Sequence, residues 1–280
     1  MAQDYTHMNL AVFCDFENVA LGVRDAKYAK FDIKRVLERL LVKGSIVVKK
    51  AYCDWDRYKD FKNQMHEAAF ELIEIPHARQ SGKNSADIRM VVDALDLCYT
   101  KSHVDTFVII SGDSDFSPLV SKLRENAKTV IGVGVKNSTS DLLIANCDEF
   151  IFYDDLVRQE ETKRRTRKRP AAKKEAARDT AKARPEDKVD DKGDDRLGGA
   201  IELVLETADA LLEERGEDET LWGSMVKQAL KRRNPGFNES YYGVRSFNKL
   251  LEEAQARGQL ELELDERSGG YIIRSIAHEE

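Results

Sequence analysis

The 280-residue chain is 41% hydrophobic with a formal net charge of -6, an ordinary balance for a soluble globular protein and one that excludes wholesale disorder. No apolar run approaches the roughly 20 residues that span a bilayer and no leader pattern opens the chain, so a cytoplasmic protein with no membrane partner is expected. The charge is uneven, net -4 over residues 1–157, +5 over 158–196 and -7 over 197–280, which argues against nucleic-acid binding by bulk charge and leaves a local basic strip to hold phosphates.

Asn9 to Cys14 is a short apolar run that ends at Asp15, and it reads as a central strand followed by an acidic loop, Phe16-Glu-Asn-Val19. Asp32 is placed to cap a helix running to about Lys43, with Ile33, Val36, Leu37, Leu40 and Leu41 at helical spacing. A valine-rich strand follows over Ser45–Cys53, then an amphipathic helix over Arg57–Phe70 and a short strand over Glu71–Ile75 closed by Pro76. His77 to Ser85 reads as a loop. Ser85 is placed to cap a helix over Ala86–Tyr99, whose Ile88, Val91, Val92, Leu95 and Leu97 are expected to form the buried stripe.

The β-branched run Thr106–Ile110 ends abruptly in Ser111-Gly-Asp-Ser-Asp115, with Ser114 or Asp115 expected to cap a helix from Phe116 to Asn126. Strands at Thr129–Val135 and Glu149–Tyr153 complete an alternation of strands and helices, the pattern of a parallel sheet covered on both faces. The first domain is therefore expected over residues 1–157. Residues 158–196 are almost devoid of large aliphatics and read as a charged flexible linker, with room for a helix at its start; the basic run Lys163–Arg169 is either a grip for RNA or a solvated tether. Over 197–280 three helices, Leu197–Gly216, Leu221–Arg233 and Tyr241–Arg257, precede a hairpin within Leu260–Ile273, a small helical domain with a β-wing. Tyr241, Tyr242 and Phe247 are candidates for base stacking, though core packing is the commoner use of such residues.

Cys14, Cys53, Cys98 and Cys147 are widely spaced, form no C-x-x-C pair and have no nearby His, so four reduced, buried thiols are expected in place of a zinc site or disulfides. The chemistry concentrates elsewhere. Asp15 after the first strand, Asp87 at a helix start, and Asp113 with Asp115 after the fourth strand all fall at the carboxyl edge of the sheet, where open α/β folds bind ligands. Gathered carboxylates repel unless a cation occupies them, and an all-oxygen set without His or Cys suits Mg²⁺ or Mn²⁺. One or two such ions bind a phosphate oxygen and activate a water for in-line attack. Asn18 is placed to orient the water or a ligand carboxylate, and Lys83 and Ser111 to bind the scissile phosphate.

The set Phe13-Cys-Asp15-Phe-Glu-Asn18, Lys83-Asn-Ser-Ala-Asp87 and Ser111-Gly-Asp113-Ser-Asp115-Phe116 resembles the NYN domain, a PIN-like ribonuclease group, across about residues 8–157. The resemblance implies a Rossmann-like PIN fold, a Mg²⁺ or Mn²⁺ site and endonucleolytic cleavage of RNA, with Asp15, Asp87, Asp113 and Asp115 at the family's metal-binding positions. Further on, Leu221-Trp-Gly-Ser, Lys227 to Phe237, Tyr242-Gly243, Phe247 and Gly270 to Arg274 are similar to the LOTUS (OST-HTH) domain, a winged-helix module that binds RNA and docks protein partners. It implies phosphate contacts at Arg232, Arg233, Arg245 and Lys249. The alternative function is a non-catalytic RNA-binding regulatory adaptor. A haloacid-dehalogenase-type phosphatase wants a second Asp two positions after the first-strand Asp, where Glu17 stands, and is set aside.

Overall fold

The computed structural model describes residues 8–28, 30–75, 85–167, 191–215, 220–265 and 268–277; Lys83 and most of the charged linker lie outside them. The chain divides into two compact units, the first running to Val157. Its six strands are β1 (Asn9–Asp15), β2 (Ser45–Cys53), β3 (Glu71–Glu74), β4 (Thr106–Ile110), β5 (Thr129–Gly134) and β6 (Glu149–Phe152). All pair in parallel, in the spatial order β3-β2-β1-β4-β5-β6.

β1 holds the middle of the sheet because Leu10 to Cys14 is apolar on both sides and wholly buried. Leu10, Val12 and Cys14 enter one core while Ala11 and Phe13 enter the other, and β4 divides Val108 and Ile110 from Phe107 and Ile109 in the same way. The first core is closed by α1 (Phe16–Asp25), α2 (Ile33–Leu41), α3 (Lys59–Glu67) and the start of α7 (Tyr153–Arg167). The second is closed by α4 (Ser85–Thr100), α5 (Ser117–Glu125) and α6 (Asp141–Asn146). Burying each of the larger side chains contributes about 1.5–3 kcal/mol against the chain entropy lost.

Several elements differ from their sequence-based expectation. The segment after Asp15 is not a loop but helix α1: the Asp15 carboxylate accepts the Asn18 backbone N–H at 3.4 Å, and Phe16, Val19 and Val23 recur on the buried face. Phe16 then sits among Phe31, Trp55, Tyr58 and Phe61 at centroid distances of 5.0–5.9 Å, which ties the start of α1 to the core. In α4 the buried residues are Met90, Ala94 and Cys98, whereas Ile88 and Val92 are 62% and 54% exposed. The small Ala94 and Cys98 let the helix approach Phe13 and Phe107 in the shared core. The cap after β4 is Asp113, not Ser114 or Asp115, and it opens a 3-10 turn at Ser114–Phe116 before α5 begins. α3 is shorter than expected at both ends, and the six-residue α6 carried no recognised signal. α7 runs to Arg167, ten residues into the stretch read as linker, where the sequence offers neither Gly nor Pro to stop it.

The second unit holds α8 (Asp191–Arg215), β7 (Leu221–Trp222), α9 (Gly223–Arg233), α10 (Phe247–Ala256), β8 (Leu260–Leu264) and β9 (Tyr271–Ile276), with the antiparallel sheet order β7-β9-β8. Ile201, Val204, Val226, Leu230, Phe247, Leu250, Leu251 and Ile273 pack as its core, so Phe247 is a core residue and not a base platform. The single helix expected over Tyr241–Arg257 is broken: Glu239–Tyr242 is a 3-10 turn, Gly243 follows at φ +83°, and Ser246 caps α10. All four cysteines are buried and unpaired. Among the described residues no helix is long and apolar enough to cross a membrane.

Candidate functional site

The order of the six strands reverses direction between β1 and β4, and the crevice beyond the carboxyl ends of these two neighbours is the topological switch point where open α/β sheets bind ligands. Asp15 is the last residue of β1, and Ser111 to Asp113 follow β4 directly. The two strand ends are bonded together. Ser111 Oγ donates to Asp15 Oδ2 at 3.0 Å, and the Gly112 backbone N–H donates to Asn18 Oδ1 at 2.8 Å. Ser111 Oγ also accepts the Asp113 N–H at 3.2 Å, and Asp113 Oδ1 accepts the Asp115 N–H at 3.0 Å.

Ser111 is fully buried and its hydroxyl is engaged on both sides, so it does not meet a phosphate as expected but positions Asp15. Asn18 likewise clasps the β4 loop with its carbonyl oxygen. Gly112 is required by a close approach: a Cβ there would lie 2.4 Å from the Ser138 carbonyl oxygen and 3.1 Å from Thr139 Cα. The turn that crosses it, Lys136 to Ser140, is fastened by the Ser140 N–H on Gly112 O at 2.9 Å and by Thr139 Oγ1 on Val135 O at 2.7 Å. This wall of the crevice was not anticipated, although its signal, the polar run Lys-Asn-Ser-Thr-Ser at a strand's carboxyl end, is present in the sequence.

Asp15 is only 7% exposed, and burial, then the charges of Asp87 and Asp113, push its carboxyl up to about 7 despite the opposing hydrogen bonds from Ser111 and Asn18. Burial also raises Asp87, with Asp113, Asp115 and Glu17 adding to the effect. Glu17 in turn pairs with Arg57 at 3.1 Å. The structure thus brings Asp15, Asp87 and Asp113 to one edge within electrostatic reach of one another, with Asp115 in reach of Asp87. Among the described residues, however, no three His, Cys, Asp or Glu side chains converge closely enough to hold a metal ion. The reason is visible at Asp15 and Asp113, whose oxygens are turned to neighbouring N–H and O–H groups. The donor chemistry fits a hard divalent cation: every donor is oxygen, the buried negative charge is uncompensated, and each carboxylate oxygen retains a second acceptor position.

The remaining expected contacts lie in the second unit. Arg233 donates to the Glu206 carbonyl at 3.3 Å, Arg232 to the Gln228 carbonyl at 3.4 Å, Lys249 is paired with Glu252, and Arg245 is exposed in the turn before α10. Lys83 lies outside the described residues.

A doubly covered parallel sheet with acids at its switch point defines a nuclease-like α/β domain of the PIN type. The NYN domain model matches residues 9–154, just over half of the chain, and the chain belongs to that family. It is 27% identical over 148 residues to the meiosis regulator and mRNA stability factor 1 of Xenopus tropicalis; the match takes in 53% of this chain but 9% of that protein. It is also similar, at 28% identity and a TM-score of 0.48, to the crystal structure of a Vibrio parahaemolyticus protein of unknown function, covering 56% of this chain and 98% of the other.

Proposed function

We propose that the chain is a metal-dependent endoribonuclease that hydrolyses RNA phosphodiester bonds at the crevice between β1 and β4. The observation that carries this reading is the gathering of acids at the switch point, where buried Asp15 feels the charges of Asp87 and Asp113, and Asp87 those of Asp113 and Asp115. Asp15, Asp87, Asp113 and Asp115 would hold Mg²⁺ or Mn²⁺, which supplies an activated water and offsets the charge of the phosphate when bound. Ser111 and Asn18 fix Asp15 and lock the two acid-bearing loops together, so the site is organised before substrate arrives. Lys83, four positions before Asp87 in the family motif, would meet the scissile phosphate. The second unit acts as a LOTUS-type RNA-binding or partner-docking module, with Arg232, Arg233, Arg245 and Lys249 toward phosphates, and the likeness to an mRNA stability factor supports RNA as the target.

The second reading is an RNA-binding adaptor without turnover, favoured by the absence, among the described residues, of a converged metal-holding group. Labelled RNA and DNA panels incubated with Mg²⁺, Mn²⁺ or EDTA separate the two. The nuclease cleaves RNA with either metal, and Asp113→Asn and EDTA each abolish cleavage. Cleavage that survives both removes the mechanism, and RNA binding without cleavage under any divalent ion establishes the adaptor.

A further inference from the structure

Helix α4 carries a second row of apolar residues that the described residues leave largely exposed, with only Leu95 also touching the core. Ile88, Val92 and Tyr99 are 62%, 54% and 66% exposed, and the half-buried Leu95 stands between them. Their spacing of four, three and four residues is the alternation of a coiled-coil seam, turned about a third of the way round the helix from the buried Met90, Ala94 and Cys98. A narrow apolar stripe of this period, running about 16 Å along the helix, is the shape that packs against another helix at a shallow angle. Scattered apolar residues on a surface call for no partner, but a contiguous ordered row does.

We propose that this seam is an isologous interface between two copies of the chain, with the α4 helices antiparallel about a two-fold axis. The seam is self-complementary under that symmetry. Turning the helix end for end about the point between Asp93 and Ala94 places Ile88 opposite Tyr99 and Val92 opposite Leu95, so every large residue meets another. The flanking charges follow the same rule. Arg89 and Asp96 occupy equivalent positions beside the seam, and in the antiparallel pair each Arg89 comes within about 3 Å of level with Asp96 of the other copy. Both contacts are of opposite sign, whereas a parallel pairing would lose them. Asp93 holds Arg89 across one turn at 3.1 Å, and Asp93 is itself held by Tyr52 at 2.9 Å and Lys50 at 3.5 Å, so the guanidinium is pre-oriented beside the stripe. Single-stranded nucleic acid is a poorer occupant, since the row carries no cation other than the already paired Arg89.

The inference is independent of whether the crevice is catalytic. Sedimentation velocity on the full chain from roughly 1 to 100 µM tests it, a range suited to an interface of this modest size. The wild type passes from monomer to dimer, and Val92→Asp weakens association more than tenfold without lowering the melting temperature measured at about 1 µM, where the chain is monomeric. Tyr99→Lys does the same by a second route, should Val92→Asp fold poorly. Arg89→Asp and Asp96→Arg each weaken the dimer, and the two together restore it. A wild type that stays monomeric across the range overturns the proposal, as does a dimer indifferent to both seam variants. Lowered melting temperatures in monomeric Val92→Asp and Tyr99→Lys alike also overturn it, by showing that the same chain covers the seam. Failure of the double charge reversal to restore association overturns the antiparallel arrangement.

Discussion

Replacing Asp15 by Asn removes a buried charge while keeping the shape of the side chain and the acceptor oxygen for the Asn18 N–H. In the metal-free protein the Asp15 carboxyl is raised from 3.8 to about 7 on folding, so wild-type stability is complete below pH 4 and is lost as the pH climbs through 7. A rise of about three units corresponds to about 4 kcal/mol lost above pH 7 but less than half of that at pH 5. The amide presents Nδ2 or Oδ1 to Ser111 less favourably than a carboxylate does, which costs about 1 kcal/mol at any pH. Asp15→Asn is therefore expected to be about 3 kcal/mol more stable than wild type at pH 8 and nearly equal at pH 5. Urea denaturation of both proteins in EDTA at the two pH values measures the difference. A variant no more stable at pH 8 than at pH 5, relative to wild type, would refute the claim that Asp15 carries an uncompensated charge.

The same logic predicts that millimolar Mg²⁺ or Mn²⁺ raises the melting temperature of the wild type at pH 8 but not of Asp15→Asn, by binding the folded state alone; equal shifts in both would place the ion elsewhere. Gly112→Ala forces its Cβ against the Ser138 carbonyl oxygen at 2.4 Å and is expected to cost about 1–3 kcal/mol in thermal denaturation. An unchanged melting temperature would show that the Lys136–Ser140 turn moves freely. Asn18→Ala strips the acceptor from the Gly112 N–H and costs about 1–2 kcal/mol, whereas Asn18→Asp retains the acceptor but adds a charge beside Asp15 and is expected to lose more stability at pH 8 than at pH 5. Denaturation midpoints at the two pH values distinguish these outcomes.

The central strands were legible because burial on both faces leaves unbroken apolar runs such as Leu10–Cys14 and Thr106–Ile110, each ending at an acid. Their ends marked the crevice for the same reason. The helices were harder to read where one residue serves two purposes. Asp15 looks like a loop acid because its role as a helix cap is realised only when Asn18 folds back onto it, and Asp113 was passed over as a cap in favour of its neighbours. In α4 both faces carry apolar residues at helical spacing, and periodicity alone selects the larger set. The fold buries Met90, Ala94 and Cys98 most deeply and packs Val91, Leu95 and Leu97 at their margin, leaving Ile88 and Val92 outside, because the sheet beneath already presents Phe13, Phe107 and Tyr52. From sequence the Ser111 hydroxyl reads as a phosphate contact, because its burial depends on β1 pairing with β4, a contact that no local pattern encodes.

The two clasps of the crevice join residues 96 and 94 positions apart, Asp15 to Ser111 and Asn18 to Gly112. A growing chain emerges from the ribosome with β1 first, yet β1 cannot meet its β4 neighbour until everything through Asp113 has been made. Closing so long a loop is also entropically unfavourable and slow. An incomplete chain that stops short of β4 therefore displays Asp15 without the partners that fix it. Any activity housed in this crevice is timed by synthesis itself, switched on only after the protein is far enough along to be whole at its centre.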